Sequence, residues 1–117
     1  MCLTVNIYYT GKNGSAKEFV REMISKGIVD QIRNEKGNKR YEYFFPENDP
    51  ETVLLIDCWE NQEALDFHHK SPMMEQIAKL RNKHNLKMKV EQYTAVFKDN
   101  QDFETVIRCR TATRKFK

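Results

Sequence analysis

At 117 residues the chain is long enough for one domain with its own core and too short for two. Hydrophobic residues at 39% and charged residues at 32%, with four Gly and three Pro, exclude a disordered or collagen-like chain, and three widely spaced cysteines (Cys2, Cys58, Cys109) exclude a secreted disulfide framework. The net charge of +3 belongs to the end of the chain, where Arg108, Arg110, Arg114, Lys115 and Lys117 follow the last acidic residue, Glu104; such a run reads as a solvated tail rather than a nucleic-acid or lipid surface.

Leu3, Val5, Ile7 and Tyr9 alternate with Thr4, Asn6 and Tyr8, the two-residue period of a strand covered on one face. Gly11 and Gly14 end it, and Ser15 with Glu18 has the spacing of a capping box. Phe19, Val20, Met23, Ile24, Ile28 and Ile32 then predict one helical stripe, with a kink or close approach at Gly27 and a carboxyl cap at Gly37. Arg40 to Phe45 predicts a second strand with Tyr41, Tyr43 and Phe45 on one face. A turn over 46–50 returns it into a third strand, Thr52 to Glu60. That strand is apolar on both sides: Leu54, Ile56 and Cys58 point one way, Val53, Leu55, Asp57 and Trp59 the other, as in a central strand. Asn61 caps a short helix carrying Ala64, Leu65 and His68, and Ser71-Pro72 caps another with Met74, Ile77, Ala78 and Arg81 on its stripe. Leu86 to Phe97 is the fourth strand, with Met88, Val90, Tyr93, Ala95 and Phe97 as its apolar residues.

The order strand, helix, strand, strand, helix, strand predicts a ferredoxin-like α+β fold, a split β-α-β in which a four-stranded antiparallel sheet carries its helices on one face. The uncovered face, with its two-sided apolar strand, predicts a homodimer packed sheet against sheet around a cavity. Residues 1–97 form this domain, and 98–117 form a basic extension, whose segment Phe103 to Thr113 either adds an edge strand, crosses to the second subunit or frays. No apolar run approaches the ~20 residues of a membrane helix and the amino terminus lacks a signal-peptide pattern, which predicts a cytoplasmic protein with neither membrane nor nucleic acid as partner.

The groups able to serve a ligand are Trp59, His68, His69, Asn6, Tyr41, Tyr43 and Tyr93. Adjacent histidines diverge by about 100° on a helix, so His68 and His69 cannot chelate one metal, and no phosphate-binding loop or nucleophilic triad is present. Spacing from Ala64 and Leu65 turns His68 inward. The plain alternatives are a core histidine bonded to a backbone carbonyl and a Trp59 that only fills the core.

The stretch from Leu54 to Pro72 resembles the antibiotic-biosynthesis-monooxygenase-like domain family, which includes quinol monooxygenases. It has a hydrophobic strand ending in acid-x-Trp (Asp57, Trp59), then Ala64-Leu65-x-x-His68, then Ser71-Pro72, and Gly37 with Tyr41 adds the family's Gly-x-x-x-Tyr. The resemblance spans about Leu3 to Val96 and implies a dimeric α+β barrel. Carried over residue by residue, it gives His68, Tyr41 and Asn6 catalytic roles and places Trp59, Tyr43, Tyr93 and Asp57 around a small aromatic ligand. Met73 stands where many members have a second histidine, which leaves His68 alone. Of the residues that mark the haem-degrading branch only Asn6 is present, so haem is not expected.

The activity implied is cofactor-independent oxygenation, without metal or flavin, of an electron-rich quinol or anthrone. His68 would be the general base, Tyr41 and Asn6 donors to the substrate oxygen, and Trp59 a contact to the ring. Two other functions fit the same cavity: a dimeric small-molecule-binding or stress-response protein without catalysis, and an isomerase of a small carbonyl compound.

Overall fold

The structure, a computed structural model, describes residues 2–94. Its elements run β1 (Leu3–Thr10), α1 (Ser15–Ser25), α2 (Ile28–Arg33), β2 (Asn38–Phe44), β3 (Thr52–Trp59), α3 (Gln62–His69), α4 (Met73–Lys83) and β4 (Lys87–Thr94). The four strands form one antiparallel sheet in the order β2-β3-β1-β4, the ferredoxin-like α+β arrangement that the element order predicts. The predicted end of the fourth strand at Ala95 to Phe97, the extension 98–117 and the segment Phe103 to Thr113 lie outside the described residues.

Register divides the side chains between two faces. β1 and β3 pair without a break from Leu3 opposite Trp59 to Thr10 opposite Thr52, so Val5, Ile7 and Tyr9 share a face with Asp57, Leu55 and Val53. This face meets the helices. Val53, Leu55 and Trp59 are buried there with Phe19, Met23, Ile28, Ile32, Leu65 and Ile77 in one core. The opposite face carries Thr4, Asn6 and Tyr8 beside Cys58, Ile56 and Leu54, then Tyr93, Glu91 and Lys89 of β4 and Arg40, Glu42 and Phe44 of β2.

Several local expectations are corrected. Gly27, at φ 75°, does not kink one helix but separates α1 from α2, and a Cβ there would meet no neighbour, so backbone conformation and not close packing explains the glycine. Ile24 sits at the end of α1, where the chain turns away, and is 57% exposed. Ser15 is already helical and makes no capping box: its Oγ accepts the Lys12 amide at 3.1 Å, while the Glu51 carboxylate takes the amides of Asn13 and Gly14 at 3.1 and 2.8 Å. Asn61 does cap α3, its Oδ1 accepting the Ala64 amide at 2.9 Å. Pro72, by contrast, occupies the cap of α4, so the Ser71 hydroxyl stands one residue too early to serve it. Phe45 lies beyond β2 and is exposed. Met88 and Val90 pair with Tyr9 and Ile7 but sit on the edge strand and are exposed.

Gly37 caps no helix, because α2 has ended at Asn34. It belongs to the turn into β2, at φ 88°, and a Cβ there would lie 2.6 Å from the Cβ of Ala64. Its carbonyl accepts the Glu60 amide at 2.7 Å. Only glycine lets this turn dock on the first turn of α3.

Candidate active site

The alternation of β3 puts Asp57 and Trp59 on the helix-covered face, and the helical period of α3 puts Ala64 and His68, four residues apart, on one side of that helix. Ala64 meets Gly37. One turn further along, His68 meets Glu35, which lies in the same turn as Gly37: the imidazole Nδ1 is 2.9 Å from Glu35 Oε1. The turn is fixed at both ends, Glu35 N donating to Ile32 O at 3.0 Å and Asn38 N to Glu35 O at 3.1 Å. The His68 ring also stacks on Trp59, with centroids 4.7 Å apart and planes inclined by 27°.

Around this pair runs a buried polar seam. Trp59 is 0% exposed, His68 and Tyr41 3% and Asp57 4%. Tyr41 lies opposite Asp57 across the β2–β3 ladder, and the Tyr43 hydroxyl is 3.4 Å from that of Tyr41, its ring edge-on at 5.6 Å. The Asn38 amide approaches Asp57 Oδ1 at 3.4 Å. Burial pushes the Asp57 carboxyl up to about 6, against the opposing pull of the Trp59 indole, the His68 ring and the Asn38 amide. The same desolvation raises Tyr41 and Tyr43 well above an ordinary phenol, so both remain proton donors at any working pH. His69 points to solvent, as the spacing predicts; partial burial and the neighbouring His68 lower its pKa.

Among the described residues, four buried side-chain polar atoms have no partner in hydrogen-bond geometry: Asn6 Oδ1, Glu35 Oε2, Ser71 Oγ and Trp59 Nε1, the last lying close enough to the Asp57 carboxyl to pull on it. Three of them belong to residues that touch His68: Glu35 through Nδ1, Trp59 through its ring, and Ser71 through its amide on the His68 carbonyl at 3.1 Å. Orphaned buried polar atoms are rare and costly, and of these Glu35 Oε2 and Trp59 Nε1 belong to side chains that contact the His68 ring. Also among the described residues, no three His, Cys, Asp or Glu side chains are placed to hold a metal ion.

The predicted site residues therefore divide. His68, Trp59, Asp57, Tyr41 and Tyr43 share the helix-covered face. Asn6 and Tyr93 do not: Asn6 pairs with Ile56 and Tyr93 with Thr4, on the opposite face, because strand side chains alternate and both stand an odd number of residues from the core positions. The partner of His68 is a carboxylate and not the backbone carbonyl of the plain alternative. Glu35 is the residue that sequence reasoning missed. It sits in the charged stretch Asn34-Glu35-Lys36, where no periodicity distinguishes it; its nearness to Gly37 is the sole hint.

The sequence profile described as Antibiotic biosynthesis monooxygenase matches residues 2–80. The Bacillus subtilis protein YcnE, whose name assigns it provisionally to the monooxygenases, is 25% identical over 69 residues, 59% of this chain and 70% of its own length. Among solved structures, a conserved protein from Methanosarcina mazei superposes with a TM-score of 0.71 at 18% identity, covering 82% of this chain and 94% of its own. SnoaB of Streptomyces nogalater, described as a cofactor-independent oxygenase, superposes with a TM-score of 0.70 at 14% identity over 85% of this chain and 97% of its own. At these identities the structural likeness establishes the fold.

Proposed function

The chain belongs to the antibiotic biosynthesis monooxygenase family, and from that premise we propose that it is a cofactor-independent monooxygenase of a small electron-rich aromatic, a quinol or anthrone, with His68 as general base. The observation that carries this reading is the stack of His68 on Trp59 on the closed side of the sheet, with a carboxylate on Nδ1. An imidazole bonded at Nδ1 offers Nε2 as its proton acceptor, and an indole beside it offers a plane to a flat ring.

For an anthrone-type methylene the chemistry balances without a further reductant. His68 takes one proton from the carbon, and the resulting anion gives an electron to dioxygen. The two radicals join in a carbon–oxygen bond, and the peroxide takes the proton back from His68. Removal of the second carbon-bound proton then breaks the O–O bond, releasing one oxygen as water and leaving the other as the new carbonyl. Tyr41, held protonated by burial, donates to the substrate oxygen as negative charge grows there; Tyr43 steadies it, and Asp57 and Trp59 border the ring.

Asn6 and Tyr93 belong in this reading to the face that a second copy covers. Leu54, Ile56 and Tyr8 are only half-buried there, and Asn6 Oδ1 lacks a partner among the described residues. Light scattering should give twice the chain mass. No helix among the described residues is long and apolar enough to cross a membrane.

The test is oxygen uptake by purified, metal-free protein given 1,4-dihydroxynaphthalene or anthrone. Uptake proportional to protein, with one dioxygen consumed per oxygen-bearing product and no hydrogen peroxide released, supports oxygenation. Binding without uptake replaces it with a ligand-binding role, and turnover of a small carbonyl compound without oxygen replaces it with isomerisation.

A further inference from the structure

We propose that Glu35 is the positioning residue of this site, fixing His68 with its proton on Nδ1 so that Nε2 is the base; the inference rests on the reading of His68 as general base. Three observations carry it. The contact is short and enclosed, 2.9 Å with the His68 and Glu35 side chains 4% and 11% exposed, so water competes weakly for either group. The carboxylate is also unshared: Oε2 has no partner among the described residues, and the nearby Arg33 guanidinium is spent on the Tyr41 carbonyl, at 3.1 Å from Nε and 2.7 Å from Nη2. The full acceptor strength of Glu35 is therefore directed at one ring nitrogen.

The third observation is that the geometry is held from outside the pair. Gly37 against Ala64 and Glu35 against His68 are two rungs between the same turn and the same side of α3, so the backbone contact at the first rung sets the reach of the second. With Nδ1 engaged and one ring face on Trp59, the imidazole has neither a free flip nor a free tautomer. Glu35 touches no reacting atom in this scheme; it acts only through the ring.

Ring-nitrogen NMR of His68 reads this directly, beside steady-state kinetics with 1,4-dihydroxynaphthalene. In the wild-type protein the neutral ring should carry its proton on Nδ1; a ring protonated on Nε2 overturns the proposal without any variant. Glu35→Leu keeps the approximate size but removes the acceptor, which releases the ring proton to Nε2, the nitrogen that a free neutral histidine side chain prefers. The expected result is a changed tautomer signal together with a fall in kcat toward the level of His68→Ala, about 10²-fold or more, with KM within about twofold. An unchanged tautomer, or a changed tautomer with unchanged kcat, overturns it. If His68→Ala itself turns over normally, the base reading has failed, and the tautomer measurement still decides whether Glu35 orients the ring.

Discussion

Two histidine–glutamate pairs occupy this small fold, and they are built differently. His68 meets Glu35 at 2.9 Å in the interior, while His84 meets Glu22 at 2.7 Å where the end of α4 crosses α1, with side chains 12% and 20% exposed. Glu22 divides its charge: Lys83 reaches the same oxygen at 2.7 Å and Lys26 the other at 3.5 Å. His84 meets Phe19 edge-on at 6.4 Å, whereas His68 lies flat on Trp59. A carboxylate shared by two lysines and an imidazole is a clasp between helices. One held for a single imidazole is the arrangement that the proposed base requires. Residue type is the same in both; exclusivity and enclosure separate them.

The comparison breaks most readily at the aromatic beside each histidine. Trp59→Ala removes a fully buried indole, should cost about 3–5 kcal/mol of stability, and should free the His68 ring; denaturant unfolding with His68 NMR checks both. Asp57 gives the next effect, through pH. Its folded-state pKa, about 6, lies above the ordinary value of 3.8, so the folded protein holds the proton more tightly and stability falls as pH rises from about 4 to about 6. Asp57→Asn should remove that fall, gaining about 2 kcal/mol over wild type at pH 7 relative to pH 4, measured by urea midpoints at the two values. A gain independent of pH would show that the carboxyl is not paying for its burial.

Glu22 should behave with the opposite sign. Hydrogen bonds from Lys83 and His84 hold its carboxyl down at about 2, against an ordinary 4.5, so its contribution is present above pH 4.5 and is lost as pH falls toward 2. Glu22→Gln should flatten the acid limb of thermal stability between those values and leave oxygen uptake at neutral pH within about twofold. Selective loss of activity in that variant would place the clasp in the site.

The sheet and its register were legible because alternation is local: Leu3, Val5, Ile7 and Tyr9 declare their face by position alone. The same alternation separates Asn6 from Val5, so the structure's placement of Asn6 away from His68 was written in the strand period, and family resemblance drew it into the site against that signal. Trp59 and His68 were legible because strand end, cap and helix follow in one short stretch. Glu35 was not, since it comes 33 residues before His68 and reaches it only because Gly37 lets a turn close on Ala64. The break at Gly27 was half-legible: the apolar period runs through it, and only the positive φ divides it into two helices.

If His68 is the base, the enclosed histidine does chemistry and the clasp histidine does not. This is tested most directly by oxygen-uptake rates of His68→Ala and His84→Ala with 1,4-dihydroxynaphthalene, at equal concentrations of protein shown to be folded. The account predicts a loss of about 10² to 10⁴ for the first and a change within about twofold for the second; equal rates for the two variants would contradict it.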